Sequence, residues 1–457
     1  MLPTELLLDP ALRLGSAAGL TALYGALCGG VLWREGSKRK AKAALGRAAE
    51  GSPAWLVVYA SQTGTAAEIA IETGRQLHQA GLAVQVLALN ALSVSQLQQA
   101  ECALFIASTC GEGDAPDNGA LFAMQQMAKR VALAQLHFAV LALGDDSYAQ
   151  HCAFGRALDN WLRECGAQAL RPCLEVNRGD AHAQGEWQAL LTHQAGSSDA
   201  PDWRAPAFET WRLVARACLN PGSQGEPLYE VSLLPMEGAL PHWESGDLAQ
   251  VGIAADDERP REYSIASLPA EGCLRLLVRL HRDAKGGLGL SSGWFAAAEI
   301  DSQIQLRVRP HRLFRLGENA RRPLILIGNG SGLAGLRGHI KARELAGQHD
   351  NWLIYGERNE AHDAIWAAEL EAWRQTQCLR RLDRVFSRDA HAQRYVQDVL
   401  RNSRETLQHW VARGAAIYVC GSRRGMAADV DAALRAVLGE EGVASLALAE
   451  RYRRDVY

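Results

Sequence analysis

Two segments of this chain carry residues suited to holding phosphate, and a third adds a clamp. Residues 328–338 read Gly328-Asn329-Gly330-Ser331-Gly332-Leu-Ala-Gly335-Leu-Arg-Gly338 and follow the apolar run 324–327. A buried strand that feeds a glycine-rich turn and then a helix presents main-chain N–H groups to a pyrophosphate. Glycine-rich turns also arise from packing alone, so this segment by itself leaves both readings open. Ser61-Gln62-Thr63-Gly64-Thr65 follows a second apolar run, 55–60, and opens a helical pattern near Ala66. Its hydroxyls and helix-start N–H groups suit a phosphate monoester. A P-loop would need Gly-Lys-Ser/Thr here, so nucleoside triphosphate hydrolysis is disfavoured. Arg261-Glu262-Tyr263-Ser264 lies on a candidate strand, where an arginine and an aromatic two apart share a face. One can clamp a pyrophosphate while the other stacks a ring; a chance pair on a surface strand is the plain alternative.

The elements that must position these residues are legible as period and punctuation. Residues 54–193 alternate apolar strands (55–60, 83–89, 103–108, 138–144) with helical patterns, the signature of a doubly wound parallel sheet. Ligands of such sheets lie beyond the carboxyl ends of the strands. There the 61–65 loop meets Ser108-Thr109-Cys110-Gly111-Glu112-Gly113 and Leu143-Gly144-Asp145-Asp146-Ser147-Tyr148. Residues 194–206 read as a linker, and 207–319 hold short period-two runs that predict an antiparallel barrel. From 320 the βα alternation resumes and runs to 457. Three nucleotide-type sites in one polypeptide suggest electrons passed along a line of nucleotides.

Bulk composition narrows the class. The 457 residues are 48% hydrophobic and 22% charged with a net charge of −3, which predicts about three globular domains and gives no footprint for nucleic acid. The ten cysteines form no Cys-x-x-Cys and no metal-spaced cluster, so no metal centre is expected and the thiols read as reduced. Residues 14–33 carry no charge and are long enough to span a bilayer as a helix. Arg34, Lys38, Arg39, Lys40, Lys42 and Arg47 follow, which by the positive-inside rule predicts a single-pass anchor in the inner (cytoplasmic) membrane. The N-terminal segment 1–13 would then be non-cytoplasmic, 34–53 a basic linker, and the remainder cytoplasmic. Gly15/Gly19 and Gly25/Gly29 have the spacing that packs two such helices, leaving a homodimer through the anchor open.

From residue 54 onward the chain resembles the diflavin reductases, the family of cytochrome P450 reductase and the sulfite reductase flavoprotein subunit. The 61–65, 108–113 and 143–148 loops look like the FMN loops of their flavodoxin-like domain. Arg261-x-Tyr263-Ser264 and Gly289-Leu-Ser291-Ser292-Gly293 look like the FAD signatures of ferredoxin-NADP reductase-type domains. The resemblance implies an α/β multidomain chain: a flavodoxin-like FMN domain over 54–193, an antiparallel FAD barrel over 207–319, and a Rossmann-like NADPH domain over 320–457. It places Ser61, Gln62, Thr63, Gly64 and Thr65 on the FMN phosphate. Ser108, Thr109, Cys110, Gly111, Gly113, Leu143, Gly144, Asp145 and Tyr148 would surround the flavin ring, with Tyr148 stacked on it. Arg261, Tyr263, Ser264, Gly289, Ser291 and Ser292 would hold FAD. Gly328, Gly330, Ser331, Gly332 and Arg358 would hold NADPH, with Ser387, Arg388, Gln393, Arg394 and Tyr395 near its 2′-phosphate. A buried structural cysteine is the plain reading of Cys420. The resemblance instead sets Cys420 beside the nicotinamide, with Ser264 and Asp455 aligning the reaction and Tyr457 stacked on the FAD ring.

The implied activity is hydride transfer from NADPH to FAD, electron passage to FMN, and single-electron delivery to an acceptor. A haem or sirohaem protein, a membrane quinone or redox protein, and a ferric chelate all remain open as acceptor, with the anchor favouring a membrane-proximal one. The alternative is a non-catalytic flavin-binding scaffold or redox sensor of a membrane complex. Two departures from the pattern stand out: Cys110 replaces an aromatic, and Gln393 a lysine. A third is larger. Arg261 follows Gly246-Asp247-Leu248 after only a dozen residues, where the family carries a helical connecting domain.

Overall fold

The computed structural model describes residues 55–457 except 147, 178–180, 196–206, 254–255, 283–284 and 390–392. Three sheets follow one another along the chain. The first is wholly parallel, in the order β2-β1-β3-β4-β5 with β6 also on β4: β1 (Trp55–Ala60), β2 (Val84–Ala88), β3 (Cys102–Ser108), β4 (His137–Gly144), β5 (Gln168–Ala169) and β6 (Leu174–Asn177). Helices α1 (Thr65–Gln79), α2 (Val94–Gln99), α3 (Asp117–Gln125), α4 (Ala153–Glu164) and α5 (Ala181–Ala195) join and cover the strands. Both faces are dry: Val58, Phe105 and Val140 pack in one core, and Val57, Leu104 and Leu141 in the other. That is why these strands read as continuous apolar runs. The order reverses between β1 and β3, so the loops leaving these two strands diverge and open a crevice.

The second sheet is antiparallel, in the order β10-β9-β12-β7-β8-β11. Its strands are β7 (Glu209–Cys218), β8 (Leu228–Pro235), β9 (Leu248–Ile253), β10 (Asp256–Ser264), β11 (Leu274–Arg279) and β12 (Gln303–Arg309), and α6 (Leu290–Ala297) lies between the last two in the chain. A bridge between Ile265 and Leu276 brings the edges together into a barrel around Trp211, Leu213, Val231, Val251, Leu276 and Leu306. Here the apolar residues alternate, as an inside–outside strand requires. β9 turns directly into β10, with Arg261 opposite Val251 and Ser264 opposite Leu248. No helical domain intervenes at this corner.

The third sheet is again parallel, β15-β14-β13-β16-β17. It comprises β13 (Leu324–Asn329), β14 (Asn351–Glu357), β15 (Arg381–Phe386), β16 (Ala416–Gly421) and β17 (Tyr452–Val456). Helix α7 (Leu333–Leu345) follows β13, and further helices, among them α8 (Glu360–Asp363), α9 (Ala367–Gln375) and α10 (Val396–Asn402), cover its two faces with separate cores.

The expected membrane placement is corrected. No helix among the described residues is long and apolar enough to cross a bilayer, and the 14–33 segment, with the N-terminal segment 1–13 and basic linker 34–53, lies outside them. The inner-membrane location, and the anchor-mediated dimer that depended on it, are withdrawn. The proposed linker 194–206 also falls outside the described residues, except for its first two positions, which close α5.

Candidate active site

The third sheet reverses order between β13 and β16, and the chemistry gathers at that switch point. Register sets Gly328, Cys420 and Asp455 abreast on β13, β16 and β17. Ser264, at the end of β10 in the barrel, completes the group from another sheet. Its hydroxyl donates to Asp455 Oδ2 at 2.7 Å and lies 3.9 Å from Cys420 Sγ. The Cys420 thiol donates to the same carboxylate oxygen at 3.6 Å. All three side chains are nearly or wholly buried. Burial pushes the Asp455 carboxyl up to about 6, against the hydrogen bond from Ser264. Burial, and next Asp455, push the Cys420 thiol well above its usual range, so it stands as a neutral donor rather than a thiolate.

Glycine makes this close approach feasible. A Cβ on Gly332 would sit 2.1 Å from the Cys420 carbonyl oxygen, and one on Gly328 2.7 Å from the same atom. One on Gly335 would be 3.3 Å from Cys420 Sγ and 3.4 Å from Ser264 Cβ. The glycine run therefore lets β13 and α7 press against β16 as well as exposing N–H groups at a helix start. Close packing and an exposed helix start are compatible in this segment. Tyr457 ends the chain here, half exposed, its hydroxyl 2.9 Å from Ser331 Oγ and its N–H donating to the Gly421 carbonyl. The Tyr355 hydroxyl donates to the Gly330 carbonyl and steadies the turn.

On the barrel, the Tyr263 hydroxyl donates to Ser291 Oγ at 2.8 Å, and its ring meets Phe295 edge-on at 5.7 Å. Ser292 Oγ accepts from the His281 N–H at 3.1 Å, and Gly289 stands just before the first turn of α6. Arg261 is exposed two residues before Tyr263. These groups form one band along β10 and the start of α6. At the far edge of the third sheet, the loop after β15 carries Ser387 and the exposed Arg388, and Arg394 folds back to donate to the Ser387 carbonyl at 2.6 Å. Gln393 and the exposed Tyr395 follow at the start of α10. The Arg358 side chain rests against Gly225 and the Gln224 carbonyl, while its own carbonyl accepts from the Arg388 N–H at 2.8 Å.

The first sheet builds its crevice from main chain. Gly64 has φ +95°, a left-handed conformation that glycine adopts without strain, and its N–H donates to Ser61 Oγ at 3.0 Å. Asn118 Oδ1 accepts from the Ser61 N–H at 2.7 Å, and Gln62 pairs with Asp117 at 2.9 Å. Thr63 and Thr65 are exposed around the start of α1. Cys110 and Asp114 exchange main-chain hydrogen bonds, with Gly111 and Gly113 at positive φ between them. Ser108 closes β3, and the Thr109 hydroxyl accepts from the Phe154 N–H, which commits it to the start of α4. Leu143 and Gly144 close β4, the Tyr148 N–H donates to the Asp145 carbonyl, and the Tyr148 ring is about one-third exposed.

Comparison with known proteins covers most of the chain. Residues 57–189 match the family model described as flavodoxin. Along most of its length the chain is similar to proteins named sulfite reductase [NADPH] flavoprotein alpha-component. The Shewanella sp. (strain MR-7) protein is 26% identical, with 90% of each chain covered. A Vibrio cholerae protein is 27% identical, with 88% of this chain and 87% of its own covered. The similarity extends far beyond the first sheet. The Shewanella alignment spans 546 positions, more than the 457 residues present here, so that relative carries residues without a counterpart in this chain.

Several residues at these sites carry no motif. Arg309 and His311, at the end of β12, face the 61–65 loop. Arg454, next to Asp455, forms an ion pair with Asp117 of the first unit. Arg279 pairs with Glu357 beside Gly330. The cluster Arg307-Val-Arg309-Pro-His311-Arg312 was visible as charge. What it faces was not.

Proposed function

We propose that this chain passes electrons from NADPH to FAD, from FAD to FMN, and then singly to a redox acceptor. It is an NADPH-dependent diflavin oxidoreductase with FMN, FAD and NADPH as its cofactors. The observation that carries this reading is the meeting of Ser264, Cys420 and Asp455 from three strands in two sheets. A flavin-binding scaffold has no use for that buried trio.

The residues present fit the three groups. Hydroxyls and helix-start N–H groups at Ser61 to Thr65 would hold the FMN phosphate, and Tyr148 would lie on the ring. Arg261, Tyr263, Gly289, Ser291 and Ser292 would hold FAD. The 328–332 turn at the start of α7 would take the NADPH pyrophosphate, and Ser387, Arg388 and Arg394 its 2′-phosphate, where a guanidinium and a hydroxyl side by side suit a dianion. When bound, these cofactors supply hydride transfer and one-electron chemistry. Asp455 keeps the Ser264 hydroxyl and the Cys420 thiol oriented, and as a carboxylate it opposes positive charge developing nearby. Burial of the trio excludes water from the reacting face. Tyr457 caps that face and must move aside for the nicotinamide.

For the acceptor, the relatives' name favours a haem or sirohaem protein over a ferric chelate. The direct β9–β10 turn leaves the flavodoxin unit held by its linker and by docking alone. The test is to quantify flavin released from purified protein and titrate the same sample anaerobically with NADPH and with NADH. One FMN and one FAD per chain, reduced preferentially by NADPH, is the expected result. Flavins that NADPH cannot reduce would overturn it and restore the scaffold.

A further inference from the structure

The loop read above as the FMN phosphate site is not open on all sides. Arg309, from the end of β12, is buried, and its Nη2 donates to the Thr63 carbonyl at 2.9 Å and to Thr65 Oγ1 at 2.7 Å. Glu262 takes its Nη1 at 2.7 Å, which fixes the guanidinium and leaves the Nη2 side turned to the loop. His311, two residues on, is fully buried, with neither ring nitrogen in a full hydrogen bond and the Gln62 main chain of the same loop as a weak partner. Its Cδ2 lies 3.5 Å from where a Cβ on Gly64 would be. An unsatisfied imidazole, buried and set against the start of a fifteen-residue helix, is costly unless something polar joins it. A phosphate at that helix start would accept from the imidazole and, by displacing the Thr63 carbonyl or the Thr65 hydroxyl, from the Arg309 guanidinium. Arg312 adds a further positive charge, while Glu68 in the first turn of α1 opposes it. Burial pushes the Glu68 carboxyl up, against the pull of Arg309 and Arg312.

We propose that Arg309 and His311 of the barrel complete a phosphate-monoester site whose floor is the 61–65 loop, so that two units of the chain hold FMN by its phosphate. This rests on reading 61–65 as the FMN loop. It makes the phosphate a tie between the flavodoxin unit and the barrel, at the end of β12 where Arg309 lies opposite Leu248.

The test compares FMN with riboflavin, which lacks the phosphate, by flavin-fluorescence titration of the full-length apoprotein. A wild-type chain that binds FMN much more tightly than riboflavin supports the loop reading; equal affinities would overturn that reading, and this proposal with it. In Arg309→Gln the FMN affinity should fall about tenfold or more while riboflavin affinity stays put. Arg309→Lys should recover part of the loss, because the charge remains. If wild type discriminates and Arg309→Gln keeps the full ratio, the shared site is wrong and the loop reading survives. One readout needs no variant: amide exchange across 308–314 in wild type should slow with FMN and not with riboflavin. Equal slowing with both flavins would overturn the tie.

Discussion

The crevice of the first sheet and the switch point of the third solve different problems with different parts of the chain. Around 61–65, ligand-facing groups are largely N–H groups and short hydroxyls on a strand–turn–helix continuous in sequence. Around Asp455, the Ser264 and Cys420 side chains, from strands far apart in sequence, converge on one carboxylate oxygen. The first arrangement binds, and no single hydroxyl carries it. The second positions, and each member depends on the other two.

The variant that strains this contrast hardest is Asp455→Asn, which keeps shape and removes charge. Stopped-flow reduction of the flavin by NADPH should slow about a hundredfold, as expected when a reacting geometry is loosened; slowing of less than about threefold would show that the trio is structural. The same carboxyl sets a pH dependence. Because burial raises it to about 6, the carboxylate is lost higher than for an ordinary aspartate, so the wild-type rate should fall as pH drops through that value. The Asp455→Asn profile should be flat there.

Packing provides the next test. In Gly332→Ala the new Cβ would meet the Cys420 carbonyl oxygen at 2.1 Å, and the strands would have to part. Denaturant unfolding should show a loss of about 1–3 kcal/mol. Arg388→Gln should raise the KM for NADPH about tenfold and leave that for NADH unchanged, since one charge-assisted contact to the 2′-phosphate is lost. Equal effects on both nucleotides would move the 2′-phosphate elsewhere. The smallest effect belongs to the main-chain site: Thr63→Ala should change FMN affinity less than about threefold, because the helix-start N–H groups remain. A large loss would mean that the first crevice also depends on single side chains of its own loop.

Much of the fold was legible because burial writes itself into period. The runs 55–60, 103–108 and 324–327 are apolar at every position since both faces of their sheets are covered, while 303–308 alternates because a barrel strand has one wet side. The glycine-rich turns were legible because few other residues allow a strand to enter a helix so abruptly. The charge-free stretch at 14–33 lies outside the described residues, among which no helix is long and apolar enough to cross a bilayer. Arg309, His311 and Arg454 escaped because their partners lie in another unit of the chain.

By itself the sequence determined three sheets, their order and the loops that could hold phosphate, since local period and turn chemistry are properties of neighbouring residues. Tertiary structure alone decided that Ser264 reaches Asp455, that the Arg358 side chain rests against the Gln224 carbonyl, and that Arg309 of the barrel reaches the 61–65 loop. Those outcomes depend on how strands far apart in the chain fall into register and on which units pack together. No spacing along the polypeptide encodes them directly.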